Sequence, residues 1–243
     1  MRTRRLAQRS IQRATYRSEH IGDLLNLLYP ELRKPLAECR LLDLGCGSGT
    51  LAVPAAKLVH AVVAVDDNRS ATDEGKAWAE RAGLTNVAFL HRSVLDVDEG
   101  LFDIVLCSDV VEHVLDHDGF VRTVARSLGP GAAYYLSTNN RWWPVEGHYR
   151  LPFLSYLPRR WATRYLHVLG STGEYGIYPL SLHRLTSLLE RHGLTWVLKP
   201  PLNPHTPVYR IGKRLVEISP RFWHVANAFQ VVGTRREAGP RRP

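Results

Sequence analysis

RLLDLGCGSGTLA, residues 40–52, decides how this chain folds. Its first half reads as an apolar strand, its middle as a glycine-rich turn, and its end as the opening of a helix predicted over residues 50–60. With no Cβ at Gly45, Gly47 and Gly49, the backbone can take positive φ and approach a bound ligand closely. A helix placed next would offer unpaired N–H groups and a positive dipole end. That arrangement suits a nucleotide-like ligand carrying a carboxylate or a phosphate.

Two common nucleotide patterns fail here. A dinucleotide fingerprint needs glycine at its sixth position, which counted from Gly45 is Thr50. A phosphate-binding P-loop needs a lysine, and the turn has none. What remains is D-x-G-x-G-x-G on Asp43, Gly45, Gly47 and Gly49. Residues 60–67, HAVVAVDD, form a second apolar, β-branched run of the kind buried on both faces of a parallel sheet. It ends in Asp66, 21 residues after Gly45. A carboxylate at the end of the second strand of an α/β nucleotide site accepts hydrogen bonds from ribose hydroxyls. Asp66 is therefore the expected ribose ligand, with Asp67 beside it on the other side of the strand.

The alternation continues along the first two-thirds of the chain. Helices are predicted over residues 68–82 and 116–128, and strands over 86–91, 102–109 and 132–137, with Gly129-Pro130-Gly131 separating the last helix from the last strand. Pro54 is tolerable only in a first helical turn, where N–H groups lack partners anyway. This order implies an α/β, Rossmann-like doubly wound sheet. Ligands bind outside the carboxyl ends of such strands, where every polar motif above falls.

Composition agrees with one globular α/β domain: 243 residues, 44% hydrophobic and 23% charged. No apolar run approaches the ~20 residues that span a bilayer, and no apolar signal core follows the arginine-rich start. Cys39, Cys46 and Cys107 provide no disulfide framework, and Cys46 reads as a small side chain tolerated in the turn. These features point to a cytoplasmic protein, with peripheral attachment to the inner membrane face left open.

Residues 40–140 resemble the class I S-adenosylmethionine-dependent methyltransferases. The resemblance rests on the D-x-G-x-G-x-G turn, on FDIVLCSDVVEHV (residues 102–114) and on SLGPGAAYYLSTNN (residues 127–140). It implies a seven-stranded sheet completed by an antiparallel hairpin, here residues 194–202 and 226–234. It also implies S-adenosylmethionine as cofactor, with the backbone of Gly45 and Ser108 beside its methionine part. The family usually carries an acid near position 93 for the adenine amino group. This chain has Ser93, so adenine recognition would fall to Ser93 and the Val94 backbone. Asp96 reads equally well as a helix N-cap.

Asp109-Val-Val-Glu112-His113 follows the fourth strand, where a transferred methyl group would lie. Three readings stay open. The pair Glu112-His113 could simply shape the turn. It could act in acid–base chemistry, with His113 taking an acceptor proton and Glu112 orienting it. It could also hold a divalent ion. D-x-x-E-H is similar to the E-x-x-E-H element of ubiquinone-biosynthesis O-methyltransferases and small-RNA 3′-end methyltransferases, whose carboxylates and histidine hold such an ion. Asp109, Glu112, His113 and, from beyond the fifth strand, His148 would be its ligands. The shorter Asp at the first position disfavours this metal reading, and the site expected to carry chemistry is His113, Glu112 and His148.

Residues 141–180 form a long insertion, a predicted cap over the acceptor site, with Arg141, Glu146, His148, Tyr149 and Arg150 as its polar candidates. Its phrase EGHYRLPFLSYLPRR is similar to bacterial methyltransferases of surface-glycan and lipid-linked sugar pathways. Residues 1–39 are predicted to be a basic helical segment, 181–234 the closing helix and hairpin of the core, and 235–243 a disordered tail. A formal net charge of +9 invites an anionic partner. Arg5, Arg9, Arg13 and Arg17 would form one stripe on a helix, and Arg159, Arg160 and Arg164 lie beside Trp161; a solvated face, nucleic acid and an anionic membrane surface all suit such groups. The expectation is an O-methyltransferase for a small-molecule, lipid-linked or glycan acceptor. The alternatives are an RNA methyltransferase, disfavoured because no RNA-binding module is appended, and an S-adenosylmethionine-binding protein without catalysis.

Overall fold

A computed structural model describes residues 21–200, 223–224 and 226–236. The arginine stripe proposed over residues 5–17 lies outside these, as do residues 237–243 and the end of the penultimate strand.

Seven strands form one sheet: β1 Arg40–Leu44, β2 Ala61–Asp66, β3 Val87–His91, β4 Phe102–Ser108, β5 Leu128–Asn139, β6 Val197–Leu198 and β7 Ala228–Thr234. Their order is β3-β2-β1-β4-β5-β7-β6. The first five run parallel, and β7 lies antiparallel between β5 and β6. The order reverses at β1, so the crevice at the carboxyl ends of β1 and β4 is the topological switch point of the sheet.

Side-chain alternation splits the core into two layers. Leu42, Val105, Cys107, Tyr134 and Val231 face the helices α4 (His117–Ser127) and α6 (Leu182–Arg191). Leu41, Ile104, Leu106, Tyr135 and Val232 face α1 (Ile21–Leu28), α2 (Ala52–Ala55) and α3 (Arg69–Arg81). The period of two within each strand makes a two-sided sheet from nearly continuous apolar runs. Asn68 caps α3 by accepting from the Ala71 amide, and Asp116 caps α4 through Gly119.

Three expectations are corrected. The helix after the glycine turn is only the four residues Ala52–Ala55; beyond it the chain continues in tighter turns, with the Lys57 amide donating to Pro54 O and that of Leu58 to Ala55 O. Gly129-Pro130-Gly131 does not separate helix from strand: β5 starts at Leu128 directly after α4. The register steps from Phe102↔Leu128 to Ile104↔Ala133, so the triplet is a bulge, the place where a strand inside the sheet tolerates a proline. Finally, Arg235 and Arg236 are not a loose tail, since Leu194 bridges to Arg235 and the Arg236 amide donates to the Gly193 carbonyl at 2.7 Å.

The insertion leaves the sheet after Asn140 and returns at Leu180. These two residues bridge in parallel, and the Arg141 amide donates to Leu180 O at 3.0 Å. Between them stands α5 (Arg159–Val168), and a small core of Leu154, Ala162, Leu166, Tyr175 and Ile177.

Candidate active site

The turn after β1 is held from behind. The amides of Gly45 and Cys46 both donate to Val65 O (2.8 and 3.0 Å), and that of Gly49 to Cys46 O (3.0 Å). The Gly47 amide donates to Asp66 Oδ2 at 2.8 Å. These four donors of the loop are satisfied within the protein. What the loop offers is close approach. A Cβ on Gly45 (φ +72°) would fall 2.7 Å from Val110 Cγ1 and nearer still to Cγ2, and one on Gly49 would strike the Phe89 ring. Gly45 and Gly49 are thus required by packing. Gly47 (φ +52°) faces open space, with nothing within 4 Å of a built Cβ, and it is here that a ligand could lie against bare backbone.

Asp43 is buried beneath the turn, 2% exposed. Burial first, and then the Asp43 charge, push the Cys46 and Cys107 thiols well up, so both remain protonated packing groups. Asp66 ends β2 half-buried at the rim of the turn, its Oδ1 accepting from the Asn68 amide at 2.9 Å. A carboxylate has about four lone-pair positions, and these two bonds leave room for more. Asp67 is exposed, its carbonyl tied to His91 Nε2 at 2.9 Å. Ser93 Oγ accepts from the Leu95 amide, closing its own turn, with Val94 half-buried beside it. No helix starts at Asp96, which is exposed, so its N-cap reading falls. Ser108 closes β4, two residues beyond the Asp43↔Leu106 pair, which sets it level with Gly45.

The segment after β4 turns sharply. Asp109 takes φ +56°, its amide donates to Ser137 O, and its Oδ1 accepts the Ser137 hydroxyl at 2.7 Å. Val111–His113 then form a 3₁₀ turn. Glu112 is fully buried; Thr138 Oγ1 donates to its Oε2 at 2.8 Å and Asn139 Nδ2 to its Oε1 at 3.1 Å. Burial, with the Asp109 charge, raises its carboxyl to about 7. His113 is exposed, its pKa held down by desolvation and by the neighbouring His148.

The structure brings His148 against this turn. Its ring meets that of His113 edge-on with centroids 4.9 Å apart, and one oxygen of Glu112 and one ring nitrogen from each histidine lie within 4.8 Å of one another. Asp109 is outside this trio. The carboxylate that orients a histidine is Glu146: only 4% exposed, it meets His148 Nδ1 with Oε1 at 3.0 Å and accepts the His148 and Tyr149 amides at Oε2 (2.8 and 2.6 Å). Burial would lower the pKa of His148, but the bond and charge of Glu146, with the charges of Glu112 and Asp109, raise it overall. Gly147 lets this turn cross Asn139, whose Oδ1 would lie 3.0 Å from a Cβ there. The Tyr178 amide donates to Glu112 O at 2.7 Å, fastening the end of the insertion to the same turn. The roles of Glu146, Thr138 and Asn139 were not apparent in sequence; the only signal was the E-x-H spacing at 146–148.

The raised Glu112 carboxyl makes stability pH-dependent. Between its ordinary 4.5 and about 7, the folded state keeps a proton that the unfolded chain releases. Stability therefore falls as pH rises through that window, by about 3 kcal/mol from this group. Glu112→Gln keeps the shape without the charge and removes that slope. Thermal unfolding at pH 5 and pH 8 checks this: equal pH dependence in variant and parent would sink it.

Comparison with known proteins fits this geometry. The chain is 38% identical over 109 residues to a ubiquinone biosynthesis O-methyltransferase of Methylocella silvestris, matching 44% of this chain and 43% of that protein; the aligned region thus spans less than half the length of that relative. Among solved structures, the YcgJ protein of Bacillus subtilis superposes with a TM-score of 0.61 at 16% identity, covering 90% of this chain and 99% of that one. An S-adenosylmethionine-dependent methyltransferase structure from Listeria monocytogenes superposes with a TM-score of 0.60 at 16% identity, covering 89% and 98%. Both share the fold. A family described as a methyltransferase domain matches residues 13–199, most of the chain, and it is to this family of methyltransferase domains that the chain belongs.

Proposed function

We propose that the protein is an S-adenosylmethionine-dependent O-methyltransferase acting on a small-molecule, lipid-linked or glycan hydroxyl. The observation that carries the oxygen acceptor is the Glu146–His148 pair set against the turn that follows β4. With Nδ1 engaged by a buried carboxylate, the ring has one tautomer and presents Nε2 as a base. The acceptor oxygen would give its proton to Nε2 and attack the sulfonium methyl in line, with S-adenosylhomocysteine leaving. Alignment of the two reactants supplies most of the rate. Labelled S-adenosylmethionine incubated with lipid, glycan, RNA and small-molecule fractions tests the reading. Label in a base-stable ether of a lipid, glycan or small molecule supports it, and label in RNA or in none of them rejects it.

Two glycines probe the cofactor assignment. Gly45→Ala should cost about 2–5 kcal/mol of stability, from positive φ and overlap with Val110. Gly47→Ala costs only the backbone part, about 1–2 kcal/mol, yet should weaken S-adenosylmethionine at least tenfold by calorimetry, because its methyl enters the space facing the turn. Unaltered affinity in Gly47→Ala would remove the cofactor from that space.

A divalent ion is a second reading, favoured by the convergence of Glu112, His113 and His148 within 4.8 Å. Two imidazoles and a carboxylate are a workable donor set, and Glu146 behind His148 is the kind of partner that fixes a metal-binding histidine. An ion held there would lower the pKa of an acceptor hydroxyl. Activity that survives exhaustive chelation unchanged ends this reading.

A further inference from the structure

We infer that the outer face of the insertion is a docking surface for an anionic lipid bilayer. Of the eleven exposed large apolar side chains among the described residues, six lie within residues 141–180. They fall into two groups rather than scattered singles, Trp142, Val145 and Phe153 around Tyr156 and Trp161, Val168 and Leu169 on and just after the helix of residues 159–168. Trp142 and Phe153 both pack edge-on against Tyr156, with ring centroids 5.4 and 5.5 Å away, and the Tyr156 hydroxyl donates to Trp142 O at 2.6 Å. Phe153 is 56% exposed although its backbone sits at φ +57°, a conformation that costs a bulky residue free energy. The chain holds an aromatic ring in water at that cost.

Beyond Pro158, α5 buries Ala162 and Leu166 and turns its other side outward. That side carries Trp161, Arg164 and Val168 at helical spacing, with Arg160 and His167 flanking them; Val168 is 78% exposed. Residues 141–180 contain five arginines and two acids. Both acids are engaged, Glu146 by His148 and Glu174 by Arg159. Arg141 and Arg160 stack over Trp142 and Trp161 instead, and among the described residues neither they nor Arg164 form an ion pair. An outward face of arginine, tryptophan and aliphatic side chains complements anionic headgroups and the acyl boundary beneath them. Nucleic acid would use the arginines and rings but not Val145, Val168 and Leu169, which offer nothing to stack on.

Docking needs no turnover, so it stands or falls separately from the proposed chemistry. The test is flotation of the full chain with phosphatidylcholine vesicles, with and without phosphatidylglycerol, across a salt series. The expected result is salt-sensitive binding to the anionic vesicles only. Arg160→Gln/Arg164→Gln should weaken it roughly 20-fold, since each arginine at an anionic surface is worth about a fivefold change in affinity. Trp161→Ala/Val168→Ser should weaken it with little change in the salt slope, and S-adenosylmethionine binding by all variants reports intact folding. The inference is overturned by no binding at low salt, by binding indifferent to these substitutions, or by binding lost only when Arg5, Arg9, Arg13 and Arg17 are replaced. Preferential binding of RNA over vesicles overturns it as well.

Discussion

His148→Ala is expected to lower turnover by about 100- to 10,000-fold, the range for losing a positioned general base, while S-adenosylmethionine affinity changes less than a few-fold. The ring lies on the insertion, and its contacts are with Glu146 and the Glu112-His113 turn. Glu146→Gln separates a base from a structural prop. It keeps the amide contacts near Oε2 but removes the charge that raises the His148 pKa. On the proposed function deprotonated His148 is the active form, so the acid limb of the turnover profile in the parent protein should have its midpoint above the ordinary histidine value. In Glu146→Gln that limb should move to lower pH. An unmoved limb, or full turnover in His148→Ala, assigns the base elsewhere. His113→Ala is the control; exposed and with its pKa lowered, it should cost less than His148→Ala.

Asp66→Ala should weaken cofactor binding by about 100- to 10,000-fold. Two ribose hydroxyls donating to one carboxylate are each worth about 1.5–3 kcal/mol, and roughly 1.4 kcal/mol is tenfold. Part of the loss would come through the loop, since the Gly47 amide loses its acceptor and is left without its 2.8 Å bond. Asp66→Asn keeps one acceptor for that amide and should fall between the two. Calorimetry decides, and full-strength binding by Asp66→Ala would overturn the ribose assignment.

The frame of the fold was legible because each strand announces itself locally. Apolar runs of five to seven residues ending in Asp66 or Ser108 need no partner to be recognised. Local pattern misled where chain connectivity overrode it. Gly129-Pro130-Gly131 looks like a loop, but Leu128 already pairs with Phe102, so the triplet is absorbed as a bulge. The glycine turn announced a helix of eleven residues, yet α2 is four residues long before the chain tightens into i→i−3 turns. Glu112, His113 and His148 were singled out together in the sequence and meet in space, but the groups that hold them were not legible. Thr138 and Asn139 come from the next strand, and Glu146 reaches His148 only because Gly147 lets the turn pass over Asn139. Contacts between segments some 30 residues apart have no local signature.

The bridge between Asn140 and Leu180 has a consequence for descent. Neighbouring strands stand about 4.8 Å apart, so a segment of forty residues departs and re-enters through one narrow doorway. Closing such a loop costs little more than closing a short one, since the penalty grows only with the logarithm of its length. Any segment whose ends meet at that spacing could replace this one without disturbing a single strand. On the proposed function the methyl-donor half and an acceptor-choosing half can then be inherited separately: one recombination event at this doorway would retarget the enzyme while its sheet stays as it was.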